Sequence, residues 1–172
     1  MPKQDKSKIY TYNVKDELYS PINAITPLLK YIPNNKTIWE CCDSPTEGNI
    51  TKVFRDSGYN VVSTSIHKGD DFLTCKIPDG VDIICSNPPY SKKDEIIARC
   101  YAIRKPFALL LPIDSITGVE RCKMYKKRPP QFIIFNRRIN FINSGNNSQG
   151  GSMWLCWNLD LPNQVVFEEY EK

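Results

Sequence analysis

The tetrapeptide Asn87-Pro88-Pro89-Tyr90 is the part of this 172-residue chain best suited to chemistry. It follows directly on an apolar run, VDIIC at 81–85. Two consecutive prolines lack N–H donors and fix φ, so they cannot continue a sheet interior and they stiffen the chain. Asn87, preceding a proline, is steered to extended backbone. A rigid strand end thus presents a side-chain amide beside an aromatic ring. Such a device suits an amino group conjugated to a planar ring, whose lone pair is delocalised and weakly nucleophilic. The Asn87 side-chain carbonyl and the Pro88 backbone carbonyl can each accept a hydrogen bond from the NH2, which favours a pyramidal nitrogen with its lone pair aimed at a sulfonium methyl. Tyr90 can stack on the ring. No covalent nucleophile is required, because orientation and stabilisation of developing charge do the work. A Pro-Pro pair alone reads as a turn; its place directly after an apolar strand in an α/β pattern favours the chemical reading.

The elements that must position this motif are legible from periodicity and punctuation. Residues 37–42, 59–66, 81–85, 107–111, 131–135 and 153–159 read as strands, several of them continuous apolar runs. Residues 21–31, 49–57, 91–105 and 119–127 read as helices, with Pro21 near the first turn of one and Gly58 as the stop of another. Strands alternating with helices predict an α/β fold with a mostly parallel sheet covered on both faces. Ligands in such sheets bind at the carboxyl ends of the strands. The loops after residues 42, 66 and 85 should therefore converge on one edge. The chain is predicted to be one domain over 1–172, with residues 1–16 loosely ordered.

Composition narrows the class. The chain is 41% hydrophobic and 24% charged, ordinary for a globular domain with one sizeable core. The longest apolar stretch, 107–111, is of buried-strand length rather than membrane-helix length, and the polar start MPKQDKSKIY lacks the apolar middle of a signal peptide, so the sequence reads as cytoplasmic with no membrane partner. Seven cysteines without a Cys-x-x-Cys pair, and a single histidine, His67, predict neither a metal site nor a disulfide framework, but small buried side chains in a reducing compartment. His67 reads as a loop histidine.

On these residues the sequence resembles the S-adenosylmethionine-dependent amino-methyltransferases with a Rossmann-like class I sheet, in particular the small phage-type DNA adenine-N6 enzymes. The resemblance runs over roughly 17–159. Asn87, Pro88, Pro89 and Tyr90 match the family's catalytic motif. Leu18-Tyr19-Ser20-Pro21 resembles the motif beside the methionine end of the cofactor, which implies cofactor contacts for Tyr19, Ser20 and Pro21. Trp39-Glu40 resembles the start of the cofactor loop, with Glu40 near the sulfonium or amino group. Asp71-Phe72 resembles the pair that takes the adenine amino group and lies against the cofactor's base. The implied cofactor is S-adenosylmethionine.

Two departures from that family pattern stand out. Its Gly-x-Gly loop is here CCDSPTEGNI, with Gly48 as the one glycine, a proline at 45 and about two extra residues. The second strand, expected to end in an acidic residue for the ribose hydroxyls, has Ser65 there, a weaker partner than a carboxylate. Asp43 and Asp70 are the nearby carboxylates available to compensate.

Net charge is +4, and between positions 121 and 138 there are seven basic residues and no acidic one. Arg121, Lys123, Lys126, Lys127, Arg128, Arg137 and Arg138 are accordingly either a phosphate-contacting surface or a solvated helix face. The Gly/Asn/Ser-rich loop 143–151 either closes over a substrate or forms a hairpin tip. Too little chain is left over for a separate recognition domain, so target choice is loop-borne or comes from a homodimer or a partner subunit. The expected partner is nucleic acid, DNA ahead of RNA, with the target base flipped out of a duplex. The alternatives are RNA adenine, guanine N2 or protein glutamine as methyl acceptor, or a catalytically inactive nucleic-acid-binding protein that keeps the fold.

Overall fold

The computed structural model describes residues 18–142 and 150–171. Its strands are β1 Thr37–Glu40, β2 Asn60–Ser63, β3 Ile83–Ser86, β4 Phe107–Pro112, β5 Gln131–Phe135, β6 Ser152–Trp157 and β7 Val165–Glu168. Among the described residues they form one sheet in the order β2-β1-β3-β4-β6-β5-β7. β2, β1, β3 and β4 are mutually parallel; β6 runs antiparallel to both β4 and β5, and β7 is parallel to β5. The expected mostly parallel α/β sheet is therefore observed. β7 is an addition the sequence did not reveal. It is a short edge strand with Val165 and Phe167 exposed, so it lacks the buried run that marks the central strands.

The helices are α1 Ile22–Ile25, α2 Asn49–Asp56, α3 Lys93–Ile103 and α4 Val119–Lys127. The helix expected over 21–31 is split: α1 passes into a 3-10 turn, Thr26–Lys30. Pro27 has no N–H to continue the α-helical ladder, which is the local reason. The helix expected from 91 begins instead with a 3-10 turn at Tyr90–Lys92. α3 ends where Arg104 turns left-handed, at φ 61°.

Alternation along the strands sorts the core into two layers. Ile38, Ile83, Cys85, Ala108, Leu110 and Trp154 face one side, where α1 and α2 cover them with Ala24, Ile25, Val53 and Phe54. Trp39, Ile84, Phe107, Leu109, Met153 and Leu155 face the other, under Ile96, Ile97, Cys100 and Tyr101 of α3. Both fully buried tryptophans satisfy their one donor: Trp39 Nε1 to Thr64 Oγ1 at 2.8 Å and Trp154 Nε1 to the Ala24 carbonyl at 2.7 Å. No helix among the described residues is long and apolar enough to cross a membrane. The cysteines are free; Cys41, Cys85, Cys100 and Cys156 are buried as expected, whereas Cys122 on α4 is exposed.

The chain leaves β1 for β2 on one side and returns to β3 on the other. That reversal opens a crevice at the carboxyl ends of β1, β2 and β3.

Candidate active site

A cavity of about 310 Å³ occupies the crevice, within the range of roughly 300–1,000 Å³ usual for small-molecule sites. Of the residues expected to hold a cofactor, Tyr19, Ser20, Glu40, Gly48, Ser65, Asp71 and Phe72 line it. Of the tetrapeptide, Asn87 and Pro89 do so. Pro21 lies outside the lining, as the N-cap of α1, and so do Pro88, which is buried, and Tyr90. The Tyr90 ring stands edge-on to Phe141, with centroids 6.5 Å apart.

Asn87 is placed by β3, whose four residues are all buried, and by the prolines that end pairing there. Its Nδ2 donates to the Leu18 carbonyl, which fixes the orientation of the amide because a carbonyl can only accept. Oδ1 is left buried with no hydrogen-bond partner, and Ser20 Oγ on the same cavity is in the same condition. A buried polar atom without a partner costs about 1–3 kcal/mol. Two such atoms on one cavity wall are what a site awaiting a polar ligand looks like.

Glu40 ends β1 and is 2% exposed. Its Oε1 accepts from the Cys42 N–H at 3.0 Å and from the Ser86 hydroxyl. Loss of water pushes its pKa up to about 8, the nearby Asp43 carboxylate adds to the rise, and the two hydrogen bonds offset part of it. At neutral pH the carboxyl is mostly protonated. A cation entering the cavity would favour its ionised form.

The glycine-poor loop is built on Asp43, 6% exposed. Oδ1 accepts from the Ser44 N–H at 2.9 Å and the Gly48 N–H at 3.0 Å. Oδ2 accepts from Thr51 Oγ1 at 3.0 Å and Ser63 Oγ at 2.6 Å. Gly48, the N-cap of α2, needs to be glycine because a Cβ there would lie 2.5 Å from Asp43 Oδ1. Gly48→Ala is expected to cost about 1–3 kcal/mol through that overlap, read as a melting temperature several degrees lower. Unchanged melting would show that the loop can give way.

Both oxygens of Asp43 are thus engaged inside the loop, and Asp70 is exposed and outside the cavity lining. Ser65 is fully buried, and its hydroxyl accepts from the His67 N–H at 3.3 Å. Asp71 Oδ1 accepts from the Leu73 N–H at 2.9 Å. Phe72 packs edge-on to Trp39, 5.2 Å between centroids, with the Arg99 guanidinium over its ring at 5.4 Å. The exposed His67 also borders the cavity.

The basic stretch does not form one surface. α4 leaves the carboxyl end of β4 and runs back toward the start of β5, which puts Lys126 and Lys127 at the sheet edge opposite the cavity. Arg121 pairs with Asp94 and Lys123 with Glu120. Arg128 donates to the Tyr101 carbonyl at 2.7 Å and lies over the Trp157 ring. Arg137 and Arg138, exposed after β5, are the ones on the cavity's edge of the sheet. Positions 143–149 of the polar loop lie outside the described residues. Sequence reading missed Leu18 and Ile142. The first contributes a backbone carbonyl, which no side-chain pattern reveals. The second lines the cavity from an exposed position and has its N–H bonded to the Tyr19 carbonyl at 3.0 Å.

No protein-family model matches the sequence, and no curated protein matches it. The fold is similar to that of a type I restriction-modification system methyltransferase subunit from Streptococcus thermophilus, with a TM-score of 0.58 and 14% identity over 89% of this chain and 47% of that one. It is similar to a protein from Vibrio vulnificus YJ016 described as a modification subunit of a type I restriction enzyme, with a TM-score of 0.58 and 9% identity over 91% of this chain and 48% of that one. A protein from Listeria monocytogenes described as a class I S-adenosylmethionine-dependent methyltransferase matches with a TM-score of 0.53 and 11% identity, over 95% of this chain and 68% of that one. The chain spans about half the length of the two restriction-modification subunits. Together with the sheet order, these likenesses show a class I methyltransferase fold.

Proposed function

We propose that this protein transfers a methyl group from S-adenosylmethionine to an exocyclic amino nitrogen, with adenine N6 in DNA as the acceptor. The observation that carries the reading is the Asn87 carbonyl: a buried acceptor with no partner, its orientation locked, on the wall of the cavity that also holds Glu40.

The residues present fit the cofactor. Ser20 Oγ is a buried polar atom without a partner, and a buried carboxyl that ionises for a cation suits a ligand bearing both an ammonium and a sulfonium. Tyr19, Ser20 and Glu40 would hold its methionine end, with Asp71, Phe72 and Ser65 at its nucleoside end. Bound there, it supplies an electrophilic methyl group. Asn87 Oδ1 accepts a hydrogen bond from the substrate amino group, helped by the Pro88 carbonyl, and so turns the nitrogen lone pair toward the cavity. Tyr90, propped by Phe141, offers the substrate ring a stacking face. Pro88 and Pro89 keep these groups fixed, so little reorganisation is needed during transfer.

The nucleic-acid part of the reading draws support from the two restriction-modification subunits of similar fold and from Arg137 and Arg138, exposed on the same edge of the sheet as the cavity. A homodimer or a partner subunit would then complete target recognition. A second reading, a non-catalytic nucleic-acid-binding protein, is favoured by the lack of an acid at the end of β2, where Ser63 and Ser65 stand, and by the full engagement of Asp43. Incubation with tritiated-methyl cofactor and unmethylated DNA, RNA and protein separates these readings. The expected product is labelled N6-methyladenine in DNA. Label only in RNA or protein would replace the substrate, and no transfer to any of the three would favour the second reading.

A further inference from the structure

We propose that Asp43 is a positioning residue: its buried carboxylate folds the 41–48 loop around itself in place of glycines and sets a second carboxylate near Glu40. The geometry is specific. A glycine-rich loop leaves its N–H groups at the start of the following helix pointing at the ligand. Here the Ser44 and Gly48 N–H groups are taken by Asp43 Oδ1, so the start of α2 already faces an internal anion. Oδ2 ties the same carboxylate to α2 through Thr51 and to β2 through Ser63. The Asp43 N–H donates to the Thr64 carbonyl at 3.0 Å, and the Thr64 N–H to the Glu40 carbonyl at 2.9 Å, so the β1–β2 ladder runs on into the loop. One side chain thereby joins three elements and fixes the wall of the cavity.

The electrical consequence falls on Glu40. It is surrounded by Ser63 of β2, Cys85 and Ser86 of β3, and Cys41, Cys42 and Asp43 of its own loop. Burial pushes the Cys41 and Cys85 thiols up, which keeps them neutral. Asp43 is the carboxylate of that set, and it opposes ionisation of Glu40. It therefore helps set the pH at which the cavity wall becomes anionic and receptive to a cation.

The inference rests on the proposed cofactor only where affinity is measured; two of its three tests need no ligand. Asp43→Asn keeps a carbonyl for the two N–H donors and offers an NH2 to the two hydroxyl oxygens. Asp43→Ala removes all four bonds. In hydrogen exchange, the Ser44 and Gly48 amides should stay protected in D43N and exchange at least ~10-fold faster in D43A, as expected for loss of charge-assisted bonds. In ligand-free melting followed against pH, the fall in stability that ends near pH 8 in the parent should end at lower pH in D43N, since the charge opposing Glu40 is gone. S-adenosylmethionine affinity should gain its high-pH strength at correspondingly lower pH. A loop staple with no electrical role would leave both pH profiles in place, and that result in D43N overturns the charge part of the proposal. Parent-like protection in D43A overturns the loop part. Should D43A fail to fold, Asp43→Ser, whose shorter hydroxyl cannot replace the carboxylate's four bonds, takes its place, and parent-like protection of the Ser44 and Gly48 amides there overturns the loop part. Should S-adenosylmethionine bind none of these proteins, the proposed function fails, while exchange and melting still decide the role of Asp43.

Discussion

Replacing Asn87 with alanine is expected to lower the rate of methyl transfer by at least ~10²-fold, the usual effect of deleting one preorganised polar group from a reacting centre, while the protein stays folded. The loss should fall on kcat, because the carbonyl acts on the nitrogen as it becomes pyramidal and contributes little to ground-state affinity. Stability should change little. The variant removes a buried acceptor without a partner, which relieves a cost, and it also removes the Nδ2 bond to Leu18, which adds one. Kinetics with saturating cofactor, beside a melting curve, measure both. Full activity in N87A would remove Asn87 from the chemistry; a collapse in melting temperature would make it a structural residue.

Glu40→Gln is the second large effect, and its sign depends on pH. The folded-state pKa of about 8 lies above the ordinary 4.5, so between those values the folded protein binds more protons than the unfolded chain. Parental stability must therefore fall as pH rises from about 4.5 to about 8 and level off beyond. Glutamine cannot ionise, so E40Q should lack this decline. It should melt near the parent at pH 5 and above it at pH 9, by a few kcal/mol at about 1.4 kcal/mol per pKa unit. Affinity for a cationic ligand should move the other way, weakening by roughly 10-fold or more at pH 9, where the parent offers a carboxylate and the variant an amide. Melting from pH 4 to 10 and a binding titration at both ends check the pair of effects. Identical melting profiles for the two proteins would show that Glu40 ionises normally.

The central architecture was legible because buried parallel strands leave a coarse signal. VDIIC and FALLL could be placed in the sheet by length and apolarity alone, and the prolines after Asn87 marked where β3 had to end. β7 was not legible, since a half-buried edge strand ending in glutamates resembles a tail. Nor was the division of labour along the basic stretch. Of seven cations close in sequence, Lys126 and Lys127 fall at one edge of the sheet and Arg137 and Arg138 at the other, because α4 reverses direction relative to the strands, while Arg121, Lys123 and Arg128 are engaged by nearby partners. Ionisable partners that meet only in three dimensions, such as Asp94 for Arg121, are likewise invisible to spacing.

The site divides in the same way. Ser20, Glu40, Phe72 and Asn87 were found through motifs, and they converge on one cavity. From sequence Asp43 is a carboxylate available to a ribose, and its geometry instead spends both oxygens on the loop. The sequence announced the missing glycines; the compensating device needed coordinates, because its partners come from the loop itself, α2 and β2. The Leu18 carbonyl that orients Asn87 is a main-chain atom and carries no sequence signal at all.

Calorimetric titration of the purified protein with S-adenosylmethionine at pH 6 and pH 9 puts the cavity to the most direct trial. A single site with micromolar affinity at the higher pH, distinctly weaker at the lower, is the predicted result. No heat of binding at millimolar cofactor at either pH would contradict the assignment of this crevice to a cationic methyl donor.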